Sequence, residues 1–184
     1  MGLYQIFHPE VFQGHLGKKN YFEGWYLKHC SADQDKVMAV IPGIALNSKD
    51  SHAFIQIIDG ISGETHYVPY PIEAFRWDKR KFEVRVGDSC FSLEGISLDV
   101  KTETLELRGE VTYYNPVSFP GSLKSPGIMG WYAYVPFMEC YHGIVSANHG
   151  LEGLLSFNQK EIDFSGGKGY IEKDWGSSFP EAWI

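Results

Sequence analysis

Between residues 104 and 114 the chain alternates without a break. Leu105, Leu107, Gly109, Val111 and Tyr113 share one parity, and Glu106, Arg108, Glu110 and Thr112 share the other. Successive strand side chains point to opposite faces, so a stretch written this way has one dry face and one wet face. That pattern requires an antiparallel sheet covered on a single side. The rest of the chain keeps the same period. Residues 21–28, 36–44, 52–59, 64–70, 81–86 and 90–93 read as short strands, as do 140–148, 151–157, 160–164 and 168–175. They are separated by turns such as Pro42-Gly43, Asp59-Gly60, Gly87-Asp88 and Asn158-Gln159. A helical stripe is conceivable only over residues 146–155, where Gly150 and Gly153 oppose it.

About ten to twelve short strands predict an all-β fold, an antiparallel lipocalin-like barrel or a β-sandwich. Neither an internal repeat nor a linker divides the 184 residues, so residues 1–184 form one β domain, and its length also suits one half of something larger. Residues 3–20 read as an opening loop, since His8-Pro9 and Gly14 interrupt any helical period. A second loop of roughly two dozen residues runs from 115 to 136, and loops that long inside a domain are commonly functional. Its aromatic end, Trp131, Tyr132 and Tyr134, argues that it is ordered.

Aromatic residues make up 15% of the chain, beside 20 Gly and 9 Pro, which supplies either a bulky core or the walls of an apolar cavity. Net charge is -7, with 16 basic and 23 acidic residues, so nucleic acid is not the expected partner. The three cysteines, Cys30, Cys90 and Cys140, have neither zinc spacing nor a disulfide framework and read as core thiols. No apolar run approaches the roughly 18 residues a membrane-spanning helix needs. Residues 1–6 resemble no secretion signal, and Ile6 breaks the myristoylation pattern. The expected location is the cytoplasm, at most peripheral to a membrane.

The last strand carries the densest chemistry. Tyr170, Glu172 and Asp174 fall on one face, and Ile171, Lys173 and Trp175 on the other. Two carboxylates two residues apart on one face repel, so at least one needs a partner or a proton. A solvated edge strand and a polar interior both satisfy that pattern. Nucleotide-loop, nucleophile-elbow and zinc-helix motifs do not occur. His142 and His149 are seven residues apart, which suits no metal geometry, so neither metal nor cofactor is expected.

Four segments remain in which acids, histidines and aromatics coincide: Phe22-Glu23-Gly24-Trp25-Tyr26, Gly130-Trp131-Tyr132, residues 136–143, and the closing stretch from Tyr170 to Trp183. Together they resemble the tocopherol cyclase family, with its FEGWY strand, its GW ahead of a P-x-x-E-x-x-H-like element, and its closing YxEKxWGxxFPxxW. The match keeps the family's order across nearly the whole chain. The sequence departs from the pattern at Asp174, where these cyclases usually carry Asn. The resemblance implies a lipocalin-like architecture of the kind found in carotenoid hydratases and some fungal Diels-Alderases, two β-rich halves with a lipophilic ligand near their junction. It also implies that the chain is an N-terminal portion, whose partner would be the C-terminal half of the same protein.

The implied reaction protonates an alkene and traps the tertiary cation with a phenol oxygen. It needs an acid that is protonated near neutral pH, aromatic faces and a dry site. Candidate acids are Glu23, Glu139, Glu172 and Asp174, with His142 as base or orienter. Candidate walls are Trp25, Tyr26, Trp131, Tyr170 and Trp175. Each has a plainer alternative. Glu23 could be a buried acceptor for backbone N–H groups. Glu172 or Asp174 could pair with Lys173, Lys168 or Arg76. The histidines could be structural and the tryptophans core. The chain as a whole could be a non-catalytic binder of a lipophilic small molecule, or a β domain whose aromatic face docks another half.

Overall fold

Twelve strands form one antiparallel sheet in the computed structural model, which describes residues 3–178. In chain order they are β1 (Tyr21–Cys30), β2 (Val37–Leu46), β3 (His52–Asp59), β4 (Thr65–Pro71), β5 (Phe75–Trp77), β6 (Glu83–Val86), β7 (Ser89–Ser92), β8 (Gly95–Lys101), β9 (Glu106–Tyr114), β10 (Cys140–Phe157), β11 (Lys160–Asp163) and β12 (Lys168–Gly176). The end of the closing motif, with Phe179, Pro180 and Trp183, lies outside the described residues. Their order across the sheet is β4-β3-β2-β1-β12-β10-β9-β8-β7-β6-β5, with β11 pairing on β10.

The all-β antiparallel character and the number of strands are as the sequence predicts. Closure is not: the end strands β4 and β5 are not hydrogen-bonded to each other, so this is neither a closed barrel nor two separate sheets. The sheet instead rolls until β6 lies against β2 and β3, and a single apolar core fills the roll. The bending is written into β10. It is one strand of 18 residues, where the sequence reads as two strands or a helical stripe, and its register against β12 slips around Ser146 and again before His149. Irregularities of this kind re-aim side chains and increase local twist. At Gly153, φ is +139° and an added Cβ would lie 2.2 Å from the Glu110 carbonyl oxygen, so only glycine fits where β9 and β10 cross closely.

The 104–114 pattern behaves as read: Leu107, Val111 and Tyr113 are buried, and Arg108, Glu110 and Thr112 face outward. β12 obeys its parity too, with Ile171, Lys173 and Trp175 pointing inward. A lysine inside the core requires a partner. Lys173 is fully buried and ion-paired to the equally buried Glu23 of β1. Its ammonium lies between the faces of Trp25, at 4.6 Å, and Trp175, at 4.9 Å, and donates to the carbonyls of Pro9, at 2.8 Å, and Val11. Glu23 accepts from the backbone N–H groups of Gln13, at 2.8 Å, and Gly14, at 3.1 Å, and from the Tyr21 hydroxyl. Burial pulls the Lys173 ammonium below its ordinary range, against the attraction of Glu23.

The opening segment is therefore a strap rather than a free loop. It begins with a short helix, α1 (Leu3–Phe7), and crosses the inner face of the sheet at Gly143, where the absent side chain makes room for Pro9. The Trp25 indole N–H donates to the Glu10 carbonyl at 2.8 Å, and Val11 and Phe12 complete the seal over the core. The long loop between β9 and β10 is tied down as well, through Val117, which donates to the Asn148 carbonyl and accepts from the Ala147 N–H.

A second buried polar group sits further along the core. The Tyr113 hydroxyl lies 2.5 Å from Nε2 of His29, whose Nδ1 faces the Met38 carbonyl, and Ser146 Oγ lies 3.0 Å from Nδ1 of His149. Burial holds both imidazoles neutral, pulling His29 from 6.5 to about 3 and His149 to about 4. Below about pH 6.5 the unfolded chain binds protons that the folded chain refuses. The stability these residues contribute is thus fully present above that pH and is lost as pH falls toward the folded values. The thermal midpoint is expected to drop on acidification from pH 7 to pH 4, with a shallower dependence in His149→Gln. An identical slope in that variant would refute this assignment.

Candidate functional site

On the outer face of the central strands the register brings ionisable groups into line. Asp174 of β12 is paired with His142 of β10 on one side and with Gly24 of β1 on the other, and Glu172 lies between Ile144 and Tyr26. His142 Nδ1 is 2.8 Å from Asp174 Oδ1, and His142 Nε2 is 3.8 Å from Glu172 Oε2. The Tyr170 hydroxyl donates to Glu172 Oε2 at 2.6 Å. The three charged side chains are 22%, 24% and 28% exposed for His142, Asp174 and Glu172 respectively, so water screens them only partly.

An imidazole between two carboxylates favours its proton. The hydrogen bond to Asp174 raises the His142 pKa above 6.5, burial works against it, and the charges of Asp174 and Glu172 add to the rise. Around this centre the other groups become harder to ionise. Burial, followed by the charge of Glu172, raises Tyr26. Burial and the hydrogen bond to Glu172 raise Tyr170, and burial with the charge of Asp174 pushes the Cys140 thiol up to about 12. The repelling carboxylates legible in the sequence thus have a shared neighbour in His142, hydrogen-bonded to Asp174 through Nδ1 and facing Glu172 with Nε2.

His142 also lines a cavity of about 380 Å³. Its walls are the strap from Ile6 to Glu10, the loop between β9 and β10, and β10 itself, with Phe119, Ile128, Met129, Ile144 and Trp175 among the apolar surfaces. The volume falls in the range that holds a small molecule, and His8, Glu10, Ser118 and His142 add polar surface beside the apolar side chains. Neither Glu172 nor Asp174 lines the cavity among the described residues, whereas His142 does, and its backbone N–H donates to Met129 Sδ of the same wall at 3.1 Å.

The structure brings together Tyr26, His142, Tyr170, Glu172 and Asp174 and separates the other candidates from them. Glu23 and Trp25 belong to the buried lock on the opposite face, where Glu23 accepts backbone N–H groups. Trp175 is buried in the same core, stacked on Tyr141 at 5.6 Å, and one side of it lines the cavity. Glu139 ends the loop before β10, and its carbonyl accepts from Ser177 and Ser178. Trp131 is 59% exposed on a short 3-10 turn (Gly130–Tyr134), stacked on Tyr132.

Sequence reading missed the contribution of the strap. His8 Nδ1 and Glu10 Oε1 are 2.7 Å apart, and both line the cavity, giving it a second imidazole–carboxylate pair. The signal was an acid and a histidine on either side of Pro9 in a stretch otherwise read as a loop. Among the described residues no three His, Cys, Asp or Glu side chains are grouped to hold a metal ion.

Residues 95–184 match the family model described as tocopherol cyclase-like, a span that contains Trp131, Glu139, His142, Tyr170, Glu172, Asp174 and Trp175. Over 70 residues the chain is 33% identical to the chloroplastic tocopherol cyclase of Zea mays, covering 37% of this chain and 15% of that protein. Among solved structures it is similar to CghA, determined with Sch210972, at a TM-score of 0.54 and 13% identity, over 86% of this chain and 46% of that one. It is also similar to a putative AttH protein of Nitrosomonas europaea, at a TM-score of 0.50 and 15% identity, over 93% of this chain and 60% of that one. The chain thus spans less than two thirds of each of these relatives. At such identities the two structures show a shared fold.

Proposed function

We propose that the protein is a tocopherol-cyclase-like isomerase, an intramolecular lyase that cyclises or isomerises a lipophilic, prenyl-bearing quinol-type substrate by proton transfer from its own side chains. The observation that carries this reading is the placement of His142, hydrogen-bonded to Asp174 and facing Glu172, among the residues that line a cavity with aromatic and aliphatic walls. The match of residues 95–184 to the tocopherol cyclase-like family supports the reaction class.

In this reading the His142–Asp174 pair is the acid. Its proton adds to the less substituted alkene carbon, the π electrons form the new C–H bond, and a tertiary cation is left on the neighbouring carbon. The face of Phe119 stabilises that charge, and the aliphatic walls around Ile128, Met129 and Ile144 limit its contact with water. The phenol oxygen closes the ring, and its proton returns to the imidazole, restoring the pair. Tyr170 holds Glu172 through its hydroxyl, and Tyr26 lies beside Glu172 across the register. The same reading places the protein in the cytoplasm, taking its ligand from a membrane surface met by the exposed Trp131, Tyr132 and Phe137. Equal sedimentation with lipid vesicles by the wild type and Trp131→Ala would remove that last element.

The direct test is incubation with prenylated hydroquinones in deuterated water. The expected product is a chromanol isomeric with the substrate and carrying one carbon-bound deuterium from the alkene protonation step. Stoichiometric retention of unchanged ligand would instead make the protein a lipocalin-like binder. Its cavity would then serve storage or transport.

A further inference from the structure

A second cavity, of about 640 Å³, adjoins the first, and Ile6, Ala133, Tyr141 and Trp175 line both. The two differ in chemistry. The first is walled mainly by apolar side chains. The second carries Gln5, Gln13, His15, Lys18, Asn20 and Ser177, and no Asp or Glu among the described residues. That composition is unusual for a protein of net charge -7. Its cation is Lys18, whose ammonium lies 3.8 Å from the centre of the Tyr21 ring. No described carboxylate is within ion-pair distance of it. The carboxylate that most affects Lys18 is Glu23, already occupied by Lys173, Tyr21 and the strap N–H groups. Partial burial lowers the Lys18 pKa, as expected for a cation that has lost water without gaining an anion.

We propose that the second cavity is a head-group subsite for a carboxylate, carried by a lipophilic ligand whose hydrocarbon part lies in the first cavity. Lys18 is the charged contact, and His15, Asn20 and Ser177 are further polar residues of the same lining. A carboxylate accepts charge-assisted hydrogen bonds from an ammonium, and the partly desolvated site strengthens them. The residues shared by both cavities, Ile6, Ala133, Tyr141 and Trp175, mark where a ligand spanning them would cross. The inference rests on the reading of the first cavity as a lipophilic site and adds to it an amphiphilic, acidic substrate class.

The test is a fluorescence titration with cis-parinaric acid and with its methyl ester. The acid is expected to bind at least about tenfold more tightly than the ester. Lys18→Gln should abolish that preference by weakening the acid alone, Lys18→Arg should retain it, and the thermal midpoints of both variants should stay near wild type. Equal affinity for acid and ester, or a Lys18→Gln effect on both ligands alike, overturns the subsite and leaves the lipophilic cavity standing. Turnover of a prenylhydroquinone without any binding of the acid likewise overturns the subsite alone. Failure of both probes and of turnover removes the two readings together.

Discussion

Replacing Lys173 by Met should destabilise the fold by about 3–5 kcal/mol, the usual cost of stranding one member of a buried ion pair. Glu23 would remain fully buried with only neutral donors around it, the N–H groups of Gln13 and Gly14 and the Tyr21 hydroxyl. The carbonyls of Pro9 and Val11 would lose their donor, and two indole faces would lose the cation between them. The strap would loosen with the lock, so amide exchange should accelerate at Val11, Gln13 and Gly14. Urea unfolding measures the loss. The charge argument has its own control, because Glu23→Gln combined with Lys173→Met leaves no uncompensated charge and should be less damaging than Lys173→Met alone. A single variant within about 1 kcal/mol of wild type, or a double variant worse than the sum of the singles, would show that the pair does not act this way.

The lock also shows where sequence reading reaches its limit. Strand parity sorts β12 correctly into Tyr170, Glu172 and Asp174 against Ile171, Lys173 and Trp175. Parity alone does not say which face is the interior, and the interior proves to be the one that contains the lysine. Ile171 and Trp175 outweigh it because its charge has a partner on β1, far away in the chain but directly across the register. Glu23 had two readings from sequence, acid or buried acceptor, and only the strap folded back over β1 provides the N–H groups that distinguish them. β8 was legible in principle, since Ile96, Leu98 and Val100 alternate with Ser97 and Asp99 and are all buried. β5 was not, because three residues set no period. The convergence of His142 with Asp174 and Glu172 depends on β10 pairing with β12 across an irregular register, which nothing local in either strand announces.

His142→Gln should lower turnover of a prenylhydroquinone by about 10²–10⁴-fold, the range lost with a general acid–base group. Asp174→Asn, which installs the residue that tocopherol cyclases usually carry there, should lower it less and leave ligand affinity near wild type. The asymmetry follows from position: Asp174 does not line the cavity and acts on the reaction through His142. An asparagine keeps a hydrogen bond to Nδ1 and removes the charge that favours the imidazolium. The His142 pKa, raised above 6.5 in the wild type chiefly by that contact, should therefore fall in the variant. Nuclear magnetic resonance titration of the His142 ring reads this directly, and the alkaline limb of the rate profile should move to lower pH with it. The same shift has a stability counterpart. A raised folded pKa contributes stability that is fully present below about pH 6.5 and disappears as pH rises through the folded value. The wild type should thus exceed Asp174→Asn in stability by more at pH 6 than at pH 9. Glu172→Gln should be milder by every measure, because Glu172 stands 3.8 Å from the imidazole and is already held by Tyr170. If Asp174→Asn reduces turnover but neither the ring titration nor the pH profile moves, Asp174 only positions the strand. If turnover is unchanged in His142→Gln, the His142–Asp174 pair is not the acid.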